Sequence, residues 1–313
     1  MRCHRNLHRL YAPLDTWETN LCLWNPYTKN LKEIIIPSDK SIPANLRDFT
    51  RREGGANYGF RYDCSTHDYK IVKVNDCITL DSTNQPICNG SEIQVYSLKS
   101  NFWSTLPCII PYAIDAKHRK AEAYFNEAPH WIALRAPFSS NFDDHNRCII
   151  FFDVGEDCFG EVLISDALFQ EFSHQERVKA LGVVRDCFSL VIFDPSPATF
   201  EILGMVNYGV RDSWTKFFTG FIPVEDMVDF HNHIKLLWEF KSGEVLFAIQ
   251  TEYFDYTHLV VYNPVQHTSR ITKIPDIFGN TGSIETYVES LVSFSNRIYE
   301  GEQEDTNVQA VSK

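Results

Sequence analysis

Leu259–Pro275 reads LVVYNPVQHTSRITKIP, and Leu21–Pro37 reads LCLWNPYTKNLKEIIIP. Both run apolar-x-apolar-aromatic-Asn-Pro, and both reach Ile-Pro eleven residues after their first proline. In the first copy, LCLW alternates like a strand. Asn25-Pro26 then ends it, because proline removes a ladder donor and asparagine turns the chain readily. TKN is polar, LKEIII resumes an extended run, and Pro37 closes it. The phrase is therefore a strand–turn–strand hairpin, written near both ends of one chain.

Looser copies lie between: Glu92–Pro107 with Tyr96-Ser97-Leu98 at the turn, Cys148–Ile164 with Phe152-Asp153-Val154, and Leu190–Met205 with Phe193-Asp194-Pro195. The anchors Trp24, Tyr96, Phe152, Phe193 and Tyr262 stand unevenly, about 40 to 70 residues apart. Imprecise strand-forming repeats of this size predict an all-β, propeller-like (kelch-like) fold of about six blades. In a closed ring the first and last blades are neighbours, and closure removes sheet edges. Further strands are expected at Asp68–Val74, half-buried by its alternation, and at His130–Leu134, Leu181–Val184 and Glu244–Ile249. Asp166–Ala180 reads as a short helix or a long polar loop. The polar end, residues 299–313, reads as a disordered tail.

The chain has 313 residues, 44% hydrophobic and 22% charged, with a formal net charge of −12. An acidic surface disfavours nucleic acid and anionic membranes and favours a basic protein. No apolar run is long enough to span a bilayer, and the start lacks the apolar core of a secretory signal. The nine cysteines are irregularly spaced without a Cys-x-x-Cys pair. They read as reduced core residues, Cys22 and Cys148 among them, in a reducing compartment. We place the protein in the cytoplasm, with the nucleus as a second compartment.

The residues also carry a resemblance. Phe60–Val74, FRYDCSTHDYKIVKV, resembles the plant pattern Gly-Phe-x-Tyr-Asp-x-x-x-x-Asp-Tyr-Lys-Val-Val. Phe200–Phe218, FEILGMVNYGVRDSWTKFF, resembles Glu-Ile-Trp-x-Met-x-x-Tyr-Gly-Val-x-x-Ser-Trp-x-Lys, with Leu203 in place of the first tryptophan. LWNPYTKNLKEI, FNEAPHWIAL, SGEVLF and YVESLVSF match in order, so the resemblance covers about residues 21 to 293. The chain is similar to the F-box associated interaction domain of plant F-box proteins, and most like S-locus F-box and S-locus F-box-like members.

This resemblance implies the target-holding part of an SCF-type ubiquitin ligase, with S-RNases as the targets of S-locus members. It also implies an N-terminal F-box docking on a Skp adaptor and, through it, a cullin. The opening MRCHRNLHRLYAPLD lacks that pattern. The expected organisation is therefore 1–20 as a remnant without an F-box, 21–298 as the associated domain, and 299–313 as tail. Skp and cullin are expected as partners only where an F-box is restored.

No nucleophile elbow, phosphate loop or His-Glu-x-x-His occurs, and Cys3, His4 and His8 lack a fourth ligand for zinc. No cofactor, metal or catalytic residue is expected. His231 and His233 read as solvated loop histidines. Tyr69, Trp103, Trp131 and Trp214 lie in strand-like phrases, so they read as core more than as interface anchors. The candidate partner-binding residues are acidic: Asp143, Asp144, Glu156 and Asp157 in one run, and Glu225 and Asp226 in another. On the loops of one propeller face they would steer a basic protein such as an S-RNase. Two rival readings stay open: a target binder that does not engage the ligase, and a sugar-binding or enzymatic propeller built around a polar central pocket.

Overall fold

The computed structural model describes residues 10–11, 20–37, 56–83, 85–114, 122–139, 147–165, 168, 178–194, 198–222, 233–250, 256–275, 284 and 286. They form five antiparallel sheets in chain order. The first holds β1 (Leu10–Tyr11), β2 (Asn20–Trp24) and β3 (Leu31–Ile35). The second holds β4 (Asn57–Asp63), β5 (Asp68–Leu80), β6 (Pro86–Ser97) and β7 (Phe102–Thr105). In the third, β8 (Tyr112–Ile114) and β9 (Ala123–Phe125) share one edge of β10 (Ala128–Arg135). β11 (Phe138–Ser139) returns to pair with β6 of the second sheet, and β12 (Arg147–Asp153) and β13 (Cys158–Val162) complete the third. The fourth runs β14 (Val178–Val184), β15 (Cys187–Asp194), β16 (Thr199–Met205), β17 (Trp214–Phe221). The fifth runs β18 (His233–Glu239), β19 (Val245–Gln250), β20 (Tyr256–Asn263), β21 (Thr268–Pro275).

The hairpin phrase is one construction used six times among the described residues. An aromatic residue stands last or second to last in a strand, and the residue seven positions on faces it across the ladder: Trp24↔Leu31, Tyr62↔Tyr69, Tyr96↔Trp103, Phe152↔Phe159, Phe193↔Phe200 and Tyr262↔Ser269. The residue after the aromatic turns the chain. Asn25 Oδ1 accepts from the backbone N–H groups of Tyr27 and Thr28, and Asn263 Oδ1 from those of Val265 and Gln266. Asp63 and Asp153 repeat this with Ser65 and Thr66, and with Gly155 and Glu156. Five residues after each aromatic the backbone turns left-handed, at Lys29, His67, Asn101, Asp157, Ala198 and His267, with φ between 50° and 62°. A four-residue loop needs such a residue to bring the next strand back into register. The Tyr62 copy escapes a search for Asn-Pro because its loop reads CSTH.

The second, third and fourth sheets are each buried on both faces. In β5, Tyr69 and Ile71 join Leu21 and Leu23 of the first sheet, while Val72 and Val74 join Trp131 and Ile150 of the third. In β10, Ile132 turns the other way, toward Leu190 of the fourth. Val191, Phe193 and Phe200 of the fourth meet Phe247 and Tyr262 of the fifth. The half-buried Asp68–Val74 expected from alternation is thus corrected: every residue but Lys70 is buried, because sheets pack on both sides. These stacked antiparallel sheets are the blades of a propeller.

The described residues supply five sheets where about six were expected. The expected contact between the first and last lies outside them. So do the tail, Cys3, His4, His8, His231 and most of Asp166–Ala180, although Val178–Ala180 belongs to β14. His233 opens β18 rather than lying in a loop. Trp131 and Tyr69 are core, as expected. Cys148 is buried, whereas Cys22 is half-buried and Cys108 and Cys158 are exposed, so the all-core reading of the cysteines fails. In β2 the alternation puts Leu21 and Leu23 inward and Cys22 on the other face.

Candidate functional site

Because the strands are antiparallel, successive connections alternate between the two ends of the sheets. The β4–β5, β9–β10 and β12–β13 turns and the β16–β17 loop all fall at one end. There they enclose a cavity of about 420 Å³. Asp63 comes from the first turn, Glu127 from the second, Asp153 from the third and Tyr208 from the loop, with Phe151 of β12 beside them. Three sheets therefore contribute to one pocket.

The turns that fold the chain also aim these side chains. Asn126 and Glu127, with φ of 46° and 63°, form the tight left-handed connection of the β9–β10 hairpin. Asp63 accepts from Ser65 N, Ser65 Oγ, Thr66 N, Thr66 Oγ1 and Lys70 Nζ. Burial, the largest single influence on its carboxyl, would raise the pKa. The donors from Ser65, Thr66 and Lys70 outweigh it and hold the group well below the usual carboxylate range.

Lys70 reaches across from the second sheet to the third. Its ammonium stands 3.1 Å from Asp63 Oδ2, 2.8 Å from Asp157 Oδ1 and 2.7 Å from the Val154 carbonyl. Burial favours the neutral amine, but the bonds to Asp157 and Asp63 prevail and raise its pKa, so it stays charged.

Beneath the pocket, His130 is fully buried. Its Nδ1 lies 2.9 Å from the Ala128 carbonyl and its Nε2 2.6 Å from the Tyr208 hydroxyl. A carbonyl only accepts, so Nδ1 carries the proton and Tyr208 donates to Nε2. Burial lowers His130 to about 4 and raises Tyr208 to about 12, which keeps both neutral at pH 7.

Of the acidic residues singled out in the sequence, Glu156 and Asp157 lie in the β12–β13 turn, beside the Asp153–Gly155 wall of the cavity. Glu156 is exposed, whereas Asp157 is engaged by Lys70. Asp143, Asp144, Glu225 and Asp226 lie outside the described residues. Asp63, Glu127, Tyr208 and His130 were not singled out as site residues. The Tyr-Asp of the Tyr62 hairpin, read as a sister of Phe152-Asp153, is the signal that would have found Asp63. Among the described residues, no group of three or more His, Cys, Asp or Glu could hold a metal ion. None of their helices is long and apolar enough to cross a membrane.

Residues 10–294 match the family described as the F-box associated beta propeller domain. The chain belongs to that family. The propeller domain is 28% identical to F-box protein CPR1 of Arabidopsis thaliana, over 66% of this chain and 49% of the relative. It is 25% identical to F-box/kelch-repeat protein At3g23880, over 77% of this chain and 59% of that protein. With F-box protein At4g22390 it shares 24% identity over 70% of this chain and 50% of that one, both relatives again from Arabidopsis thaliana. The chain thus spans about half the length of the curated relatives it matches.

Proposed function

We propose that this propeller domain is the target-recognition part of an SCF-type E3 ubiquitin ligase, holding a protein for ubiquitination without doing chemistry of its own. The observation that carries the reading is family membership along residues 10–294, with relatives named as F-box proteins. The architecture suits the role: turns from several blades converge at one end of a rigid scaffold, where loop variation sets specificity. A Skp adaptor and a cullin would be engaged through an F-box, and the site of action would be the cytoplasm, with the nucleus as a second compartment.

The target would carry a basic surface. This rests on the net charge of −12 and on the carboxylates gathered at the cavity and the β12–β13 turn, Glu156 and Asp157 included. S-RNases remain the finer proposal drawn from the S-locus resemblance, with Asp143, Asp144, Glu225 and Asp226 as further candidate contacts. Among the described residues, an enzymatic or sugar-binding propeller would draw on the same polar cavity. The commitment of Asp63 to five donors removes it as a proton donor there.

The test is co-precipitation of the tagged protein, in the length in which the plant makes it, with Skp and cullin, paired with proteasome inhibition. The reading expects a co-purifying protein whose ubiquitinated form accumulates under inhibition and disappears when this protein is silenced. Unchanged ubiquitination of every co-purifying protein on silencing would overturn it. Binding of a purified S-RNase at low salt, lost at high salt, would support the finer version.

A further inference from the structure

We infer that the cavity between the second, third and fourth sheets is a receptor for one cationic side chain, lysine or arginine, of the bound target protein. This deepens the proposed function and rests on it for the identity of the partner, though not for the chemistry of the pocket.

Three features carry the inference. The first is shape: about 420 Å³, open to the turn end of the sheets, holds a long side chain with its stem. The second is the walls. Phe151 and Tyr208 supply aromatic faces, which suit the stem and attract a cation, while Asp63, Glu127 and Asp153 supply negative charge from three separate turns. The third is the hydrogen-bonding polarity. The Tyr208 proton is already given to His130, whose own proton is given to the Ala128 carbonyl. Whatever of the Tyr208 oxygen reaches a ligand can therefore only accept. Beside anionic acceptors of this kind, a ligand with several donors, no acceptor and a permanent positive charge fits best, and ammonium and guanidinium are the two such side-chain groups in proteins.

The molecule already does this once at the cavity margin. Lys70 seats its ammonium on Asp63, Asp157 and the Val154 carbonyl, with bonds of 2.7 to 3.1 Å. That bond set takes up Asp157 and one oxygen of Asp63. Asp153 spends Oδ1 on the backbone of Gly155 and Glu156. Its Oδ2 and the Glu127 carboxylate are left to face a visitor. An anionic or purely apolar target side chain would meet these carboxylates unpaired, and the pocket would reject it.

The experiment titrates the whole 313-residue chain with N-acetyl-arginine amide and N-acetyl-lysine amide, against N-acetyl-citrulline amide as the neutral shape match. Binding is followed by shifts in the aromatic NMR signals of Tyr208 and His130. Asp153→Asn is a safe variant, because asparagine performs the same turn at Asn25 and Asn263. Glu127→Gln likewise removes charge without altering the backbone.

Saturable shifts are expected with both cationic amides and none with citrulline amide. Binding should weaken about three- to five-fold in each variant, as for a partly solvated ion pair, and should be unchanged in Asp194→Asn, at the opposite end of the fourth sheet. Absence of shifts with the cationic amides, equal shifts with citrulline amide, or equal affinity in both variants would overturn the inference. A target that still co-precipitates in that case would leave the proposed function standing. Cationic amides that bind a protein with no ubiquitinated target would do the reverse.

Discussion

Trp214 donates its indole N–H to the carbonyl of Leu163, 3.0 Å away, and so fastens the start of β17 to the chain just beyond β13 in the sheet before it. Trp103 does the same with Ile35 at 2.9 Å, and Ser269 Oγ with Phe221 at 3.1 Å. The outer strands are thus hooked end to start along the series of sheets. Two tryptophans that read from sequence as plain core are half-buried, with the ring packed and the N–H spent on a neighbour. Trp103→Phe and Trp214→Phe keep the aromatic body but leave a carbonyl without its donor. Both carbonyls are open to water, so each change should cost only about 0.5 to 1 kcal/mol in urea denaturation. Trp131→Ala, at a fully buried site, should cost about 3 to 5 kcal/mol.

The left-handed positions of the hairpins make a graded series. Ala198 sits at φ 62° and Asn101 at φ 56°. Alanine is strained there and asparagine is not. Ala198→Gly should therefore raise stability by about 1 kcal/mol, Asn101→Gly should change it little, and Ala198→Val should lower it. Thermal melts of the three variants check the order.

Lys70 forms an ionic bridge between the second and third sheets. Lys70→Met would leave Asp63, which is 2% exposed, with its hydroxyl and backbone donors but no counter-charge. A loss of about 2 to 3 kcal/mol is expected at pH 7. The carboxyl of Asp63 is depressed in the fold, so its contribution is present above its unfolded pKa of about 4 and is lost as pH falls below it. The gap between wild type and Asp63→Asn should accordingly close in acid, measured as urea midpoints between pH 7 and pH 2 (roughly the span of that titration).

Two groups, one fully buried and one half-buried, set opposing pH slopes. His130 falls from 6.5 to about 4 on folding, so its stability is full above 6.5 and is lost as pH drops through about 4. Asp76, half-buried beside Ser91, rises from 3.8 to about 6, chiefly through burial. When protonated it can donate to Ser91 Oγ while Ser91 donates to the Tyr112 carbonyl at 2.7 Å. Its contribution is full below 3.8 and is lost as pH rises through about 6. Each slope is worth roughly 3 kcal/mol, and they nearly cancel between pH 4 and 6. Wild type should be flat in that window. Asp76→Asn should lose stability on acidification, and His130→Phe should lose it as pH rises.

Much of this fold is legible in particular residues. Asn25-Pro26 and Asn263-Pro264 announce their hairpins because proline fixes its φ and removes a ladder donor, while the asparagine side chain accepts from the backbone two and three residues ahead. Ser242-Gly243 does the same for the β18–β19 turn, where Gly243 has φ 83°. The Tyr62 hairpin is harder to see because its turn depends on Asp63 accepting from residues two and three ahead, which many sequences can do. The alternation of Asp68–Val74 suggests one wet face. Lys70 and Asp68 are polar through pairing with Asp63, Asp157 and Ser97, not through contact with water. The cavity was not legible at all. Asp63, Glu127, Asp153 and Tyr208 span about half the chain, and only the order of the sheets brings their turns together.

No sheet here owns a core. The four apolar clusters each span a pair of adjacent sheets, so the greasy interior exists only as seams. A polypeptide cut short after the third or fourth sheet would bare a whole seam to water, and no local repair could hide it. In the cell this makes survival of the protein nearly all-or-none with respect to early termination: shortened products would be cleared as misfolded chains rather than persist as weaker versions of the same receptor.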